Sequence, residues 1–281
     1  MDFRISLAGL MVGFLIGLTG MGGGSLLAPI MILLFRVPPL WAVTSDVTYS
    51  AITKGFGTII HARQRQIDFR AAFWLACGSV PAILVSVFLV QYIRAHYGHL
   101  INTILLHAIG YTLVLVAVLL LARPYLLRYA ERRARERKKA ALAAAAGAGG
   151  EGQAGEAGEG GSPSWYRRVL LIIAGAFVGF LVGLTSVGSG TLIIVTLAFL
   201  YPELGPKKLV GTDIFQAFLL LLAGMVGYLS SGSINWSIVG LLLLGSLPGV
   251  YIGSKLSKFI PDQVLNPVLA VVLAVSGLKL I

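Results

Sequence analysis

Eight uninterrupted apolar stretches dominate the 281-residue chain, at about 5–35, 41–60, 71–91, 100–122, 169–200, 208–230, 236–254 and 263–281. Most reach the roughly 20 residues with which a helix crosses a hydrocarbon core of roughly 30 Å. In lipid each segment must satisfy its own backbone polar groups, which leaves helices or closed barrels. Barrel strands alternate apolar and polar residues, and these stretches do not. Composition agrees: 12% of residues are charged, against about 25% in a soluble domain. The expected fold class is therefore an all-α integral membrane protein.

The net charge of +11 does not point to nucleic acid. Ten of the 22 Lys and Arg fall between Arg123 and Arg168, and basic residues beside spans mark the cytoplasmic side. That region begins as a basic helical extension and decays into Ala, Gly and Glu, a composition that cannot bury a core. It reads as a cytoplasmic linker over 123–166, between a first membrane unit (1–122) and a second (167–281). The first stretch follows only Met1–Arg4 and leads into a Gly-rich segment, so it is read as structural rather than as a cleaved signal. The single cysteine, Cys77, reads as a small buried hydrophobe.

The two units are diverged copies. Residues 8–25 read AGLMVGFLIGLTGMGGGS and residues 174–191 read AGAFVGFLVGLTSVGSGT. Five glycines, from Gly9 to Gly24, match Gly175 to Gly190 at an offset of 166. After one extra residue in the second loop the offset is 167, and it pairs Ser45-Asp46 with Thr212-Asp213, Gly57 with Gly224, Gly78-Ser79 with Gly245-Ser246 and Pro81 with Pro248. Such repeats are common in secondary transporters, whose substrates sit at the repeat interface near the midplane.

Each copy opens with a stretch that as one helix would run about 46 Å, too long for one crossing. Its middle is glycine-rich, and each glycine costs a helix interior about 1 kcal/mol relative to alanine. The expectation is two short half-helices joined at a tip, a re-entrant hairpin that leaves three full spans per copy. The copies are then inverted, which strands four basic residues (Arg4, Arg36, Arg94 and Lys279) on the outer side. Four full spans per copy would strand six: Arg36, Arg94, Lys207, Lys208, Lys255 and Lys258. Gly9, Gly13 and Gly17 form a small-xxx-small row, read as close helix packing.

A glycine tip followed by a half-helix exposes unpaired backbone N–H groups at a positive dipole end, which suits an anion. The candidate binding residues are Gly22, Gly23, Gly24 and Ser25 of the first tip and Gly188, Ser189, Gly190 and Thr191 of the second. The hydroxyls of Thr19 and Thr185 are further candidates, against the common role of such groups in back-bonding to their own helix. Lys54, deep in a span and without a counterpart at Leu221, is a candidate anion partner. Asp46 and Asp213, placed in the first turns of matching spans, read either as helix caps or as protonatable coupling residues. His61 reads as interfacial, and His107 as a hydrogen-bonded packing residue. No metal-ligand spacing, phosphate loop or nucleophile elbow occurs, so no cofactor, metal or catalytic residue is expected.

Gly-Leu-Thr-Gly-Met-Gly-Gly-Gly-Ser followed by Leu-Leu-Ala-Pro (17–29) resembles the opening of the sulfite exporter TauE/SafE family of membrane transporters. Lys208 to Asp213, Gly232 to Trp236, Gly245 to Gly249 and Gly253-Ser254 are similar, in order, to that family's second half. The resemblance covers the chain outside about 123–166. It implies eight hydrophobic segments and secondary transport of sulfur-containing anions, with substrate varying across the family. Asp46 and Asp213 depart from it, standing where the family often has a small hydroxyl residue. The expected function is a proton-linked carrier, an exporter, of a small anion such as sulfite or an organosulfonate, in the cell membrane. A passive anion channel and a membrane enzyme or assembly factor are the competing readings. The expected partners are the anion, protons and the lipid bilayer, with homo-oligomerisation left open.

Overall fold

The computed structural model describes residues 2–19, 26–98, 100–147, 165–201, 204–230, 232, 234–256 and 262–281. These form ten helices: α1 (Asp2–Thr19), α2 (Leu27–Leu33), α3 (Pro39–Arg63), α4 (Phe69–His96), α5 (Ile101–Gly147), α6 (Trp165–Thr185), α7 (Ser189–Leu200), α8 (Pro206–Ser230), α9 (Trp236–Leu256) and α10 (Asp262–Leu280). No strand occurs among the described residues. Among the described residues five helices are long and apolar enough to cross a membrane: the 69–96, 101–126, 165–185, 207–230 and 236–253 segments. Large apolar side chains such as Phe56, Phe88, Leu244 and Leu247 are each more than 60% exposed, as suits an outer surface whose solvent is lipid.

Each opening stretch carries two helices of unequal length. α1 has 18 residues and α6 has 21, while α2 has 7 and α7 has 12. The first arm is thus not the short half-helix expected; at 1.5 Å per residue α6 extends about 31 Å. Arg167, at the start of α6, lies over the ring of Tyr201, just past the end of α7, at 5.9 Å. The chain therefore returns beside its point of entry. α5 carries the helical extension through Gly147; residues 148–164 lie outside the described residues.

Each long helix of one copy packs along a helix of the other. α1 runs parallel to α9, with Gly9 against the Leu242 carbonyl, Gly13 against the Ser246 backbone and Gly253 against Phe14. A Cβ at Gly9 would stand 2.7 Å from that carbonyl, so the row is a close-packing surface, as read from the sequence. The matching pair, α6 and α4, is also parallel: Arg168 covers Trp74, Gly179 meets Ser79 and Gly183 meets Ser86. α3 and α8 cross antiparallel, Gly57 meeting Ile214, Gly55 meeting Phe218 and Gly224 meeting Val47.

Three sequence readings need correction. Cys77 is exposed on the outer face of α4 rather than buried in protein, because Gly78 and Ser79 take the inner face. His107 is exposed too, and spends its Nδ1 on the Thr103 carbonyl of its own helix at 2.8 Å rather than packing across helices. Asp46 and Asp213 are not in first turns. Each is the eighth residue of its helix, about a turn beyond the free N–H groups that a cap would satisfy. His61 lies in the last turn of α3 and pairs with Gln66 Oε1 at 2.8 Å.

Candidate functional site

α3 is not among the five apolar candidates, and the reason is its cargo of polar residues. Thr44, Ser45, Asp46, Thr48, Ser50, Lys54 and Thr58 are all buried along it. Burying so many polar groups in a membrane segment is costly unless partners await them, and the partners come from α3 itself, α7, α8 and the second tip.

The centre of this set is Lys54. Its Nζ donates a 2.9 Å hydrogen bond to Ser189 Oγ, both residues being at most 5% exposed. Ser189 is the first residue of α7, whose preceding residue, Gly188, sits in the left-handed region at φ +92°. A Cβ there would also stand 2.8 Å from Val116 Cγ2, so both conformation and space call for glycine. α7 begins without a side-chain cap, so N–H groups of its first turn are left for a ligand. A lysine ammonium and the positive end of a helix dipole repel each other. Their convergence in a buried place is unfavourable until negative charge arrives.

Asp213, on α8, is the carboxylate nearest in level to that point. The antiparallel register puts its neighbour Ile214 against Gly57, one turn beyond Lys54. Asp213 is 3% exposed and its Oδ1 has no hydrogen-bond partner. Asp46 lies eight residues before Lys54 on α3, about 12 Å along the axis, at the level where Val47 meets Gly224. It is fully buried and accepts from Ser50 Oγ at 3.1 Å on Oδ1. Across from it stands Ser186 of the second tip. The two are close enough to interact, yet Asp46 Oδ2 and Ser186 Oγ each lack a well-formed hydrogen bond.

The remaining hydroxyl candidates divide. Thr191 and Gly190 are buried in the first turn of α7 beside Ser189. Thr185 is committed to the backbone: it donates to the Leu181 carbonyl at 2.7 Å and accepts from Val187 N at 3.2 Å. Thr19 ends α1, and the first-tip candidates Gly22, Gly23, Gly24 and Ser25 lie outside the described residues. Among the described residues no group of three His, Cys, Asp or Glu gathers to hold a metal.

The sequence reading missed a polar cross-brace. Gln216 Nε2 on α8 donates to Ser79 Oγ on α4 at 2.6 Å. The matching positions in the other pairing, Tyr49 on α3 and Ser246 on α9, also face each other. Ser79 and Ser246 were already matched by the repeat; the signal was that a buried polar residue follows each aspartate by three positions.

Comparison with known proteins places these features in a family context. The family described as "Sulfite exporter TauE/SafE" matches residues 5–280. "Probable membrane transporter protein YjnA" of Bacillus subtilis (strain 168) is 38% identical over 281 residues, covering 100% of each chain. "Probable membrane transporter protein YdhB" of the same organism is 23% identical over 271 residues, 96% of each. "Probable membrane transporter protein MJ0441" of Methanocaldococcus jannaschii is 23% identical over 290 residues, spanning 97% of this chain and 92% of its own. No solved structure matches the chain.

Proposed function

The chain belongs to the sulfite exporter TauE/SafE family of membrane transporters, and from that premise we propose that it is a secondary carrier, an exporter, of a small sulfur-containing anion such as sulfite or an organosulfonate. The observation that carries the anion reading is the Lys54–Ser189 contact at the uncapped start of α7. Two positive features converge there inside the protein, and a compact oxyanion would accept from the Lys54 ammonium, the Ser189 and Thr191 hydroxyls and the free N–H groups of the first turn. Lower effective dielectric makes each such contact count for more than at a surface. The first tip, Gly22 to Ser25, is proposed as the second half of the cradle by its sequence match to the described one.

Inverted copies are the topology we favour. Their support is the antiparallel crossing of the matched helices α3 and α8, the parallel pairing of α1 with α9 and of α6 with α4, and the return of α7 to the start of α6. An axis in the membrane plane relates such copies, and it brings the two tips toward a shared centre. The termini then face outward and the linker lies in the cytoplasm. Asp46 and Asp213, too deep to cap their helices, are the coupling candidates of this reading, with protons as the coupling ion.

The test is counterflow in proteoliposomes. Vesicles preloaded with unlabelled sulfite, taurine or sulfoacetate should draw in the same labelled anion with saturable kinetics, faster than empty vesicles. Large conductance with no acceleration by the anion on the far side would identify a channel. No anion-dependent flux of any kind would remove the carrier reading.

A further inference from the structure

The second tip turns on two residues in the left-handed region, Ser186 at φ +58° and Gly188 at φ +92°. Ser186 carries a Cβ, so it holds that conformation at a cost. Such backbone persists where the surrounding structure fixes it, and contacts that do so lie on both sides of the turn. On the far side Lys54 Nζ donates to Ser189 Oγ at 2.9 Å. On the near side is the broken end of α6.

A helix leaves its last four carbonyls without partners inside it. In α6 these belong to Val182, Gly183, Leu184 and Thr185. The Val182 carbonyl accepts from Ser186 N at 2.7 Å. Val187 N would reach the Gly183 carbonyl if the helix went on, but it turns to Thr185 Oγ1 at 3.2 Å. The Gly183 carbonyl is met from another element: Tyr228 Oη, on α8, donates to it at 2.7 Å. Both residues are buried. Ser86 of α4 also donates to an α6 carbonyl, that of Phe180, at 2.6 Å. Phe180 precedes the last four, where the helix supplies its own donor, so this bond is an addition. The Tyr228 bond closes a helix end. The residue matching Tyr228 in the first copy is His61, whose Nδ1 pairs with Gln66 Oε1.

We propose that Tyr228 is a positioning residue of the anion site: its hydroxyl ends α6 at Gly183 and so sets where the turn delivers Ser189 and the first N–H groups of α7. The proposal rests on the anion reading of the α7 start. The hydroxyl acts through the backbone of the turn and not on the anion, because its one hydrogen is spent on the carbonyl. Without that hydrogen the Gly183 carbonyl is buried and unmet, which is costly. The nearest relief is for Val187 N to swing back to it, as in a continuing helix. That lengthens α6 and carries Gly188 and Ser189 away from Lys54.

Tyr228→Phe removes the hydroxyl and keeps the ring. Affinity is read by titration calorimetry on the full-length protein with sulfite, taurine and sulfoacetate in turn, and the half-saturating concentration by counterflow. Whichever of the three the wild type binds, Tyr228→Phe should bind it about twofold to tenfold more weakly, the worth of one neutral hydrogen bond. The half-saturating concentration should rise by a similar factor, and Ser86→Ala should change neither. A tyrosine that only packs would lower the melting temperature and leave the affinity of the folded protein unchanged, and that result would overturn the role. Should Tyr228→Phe not survive detergent, counterflow in native membrane vesicles gives its half-saturating concentration without extraction. A wild-type value there overturns the proposal, and so does absence of the variant from the membrane, which would make Tyr228 a folding residue. If the wild type binds none of the three anions, the anion reading falls and this role with it; binding that Tyr228→Phe leaves unchanged removes the role alone.

Discussion

At the residue scale, the site rests on a few side chains that violate what their surroundings prefer. Lys54 points its charge at a helix start, Gly188 turns left-handed against Val116, and Ser186 bears a strained backbone. Gly188→Ala meets both a forbidden φ and a clash, so it should destabilise the fold by about 1–2 kcal/mol or more, read as a lowered melting temperature in detergent. Lys54 and Gly188 were legible as isolated anomalies in the sequence: a charge in an apolar span and a glycine at a break. Ser186 was not, because nothing in a linear reading says that the hydroxyl of one tip will face Asp46 of a distant helix. The capping role for the aspartates fails for a physical reason: α3 and α8 begin at Pro39 and Pro206, a residue suited to the first helical position, which puts each aspartate at the eighth position, past the first turn.

At the scale of elements, glycine is what lets the two copies grip each other. Gly13 and Gly179 each lie on the backbone of the partner helix, at Ser246 and Ser79, so any side chain would push the helices apart. Gly179→Val should lower thermal stability by several degrees and reduce the monodisperse fraction on size exclusion, whereas Gly240→Val, at a position with nothing within 4 Å, should do neither. Gly110 is no neutral site for such a comparison, since its Cβ would meet Ile281 at 2.7 Å in the α5–α10 packing. Tip variants are therefore to be judged against Gly240→Val. Gly190→Val, in the first turn of α7, should abolish counterflow while the protein remains monodisperse, because a branched side chain stands between the anion and the N–H groups. The pairing of close-packed glycines was visible in the repeat. The unequal arms of the broken stretches were not, since an apolar run of about 31 residues divides at its glycines without saying where each helix frays.

At the scale of the whole molecule, the repeat offset of 166 to 167 residues carried much of the architecture: the ten helices among the described residues fall into two sets, with the pairings α1–α9 and α4–α6 exchanging the copies. The direction of each pairing needed three dimensions. Under inversion, single cysteines at positions 2 and 281 should react with an impermeant thiol reagent in intact cells while one at position 150 should not; the native Cys77, exposed on the outer face of α4, is first replaced by Ala. Protection of both termini together with position 150 would instead require parallel copies of four spans each. The same arrangement brings Lys54, α7 and Asp213 together from three separate stretches of chain, and that convergence is the centre of the account. Its most direct measurement is anion affinity, by titration calorimetry with whichever of sulfite, taurine and sulfoacetate gives counterflow, in the wild type, Lys54→Ala and Lys208→Ala. Lys208 is exposed, where a charge is screened and worth little, while a buried charged hydrogen bond is worth about 1.5–3 kcal/mol, roughly a tenfold to hundredfold change in dissociation constant. Lys54→Ala should therefore weaken binding by at least about tenfold, with Lys208→Ala close to wild type; equal affinity in all three proteins would contradict an anion site at the start of α7.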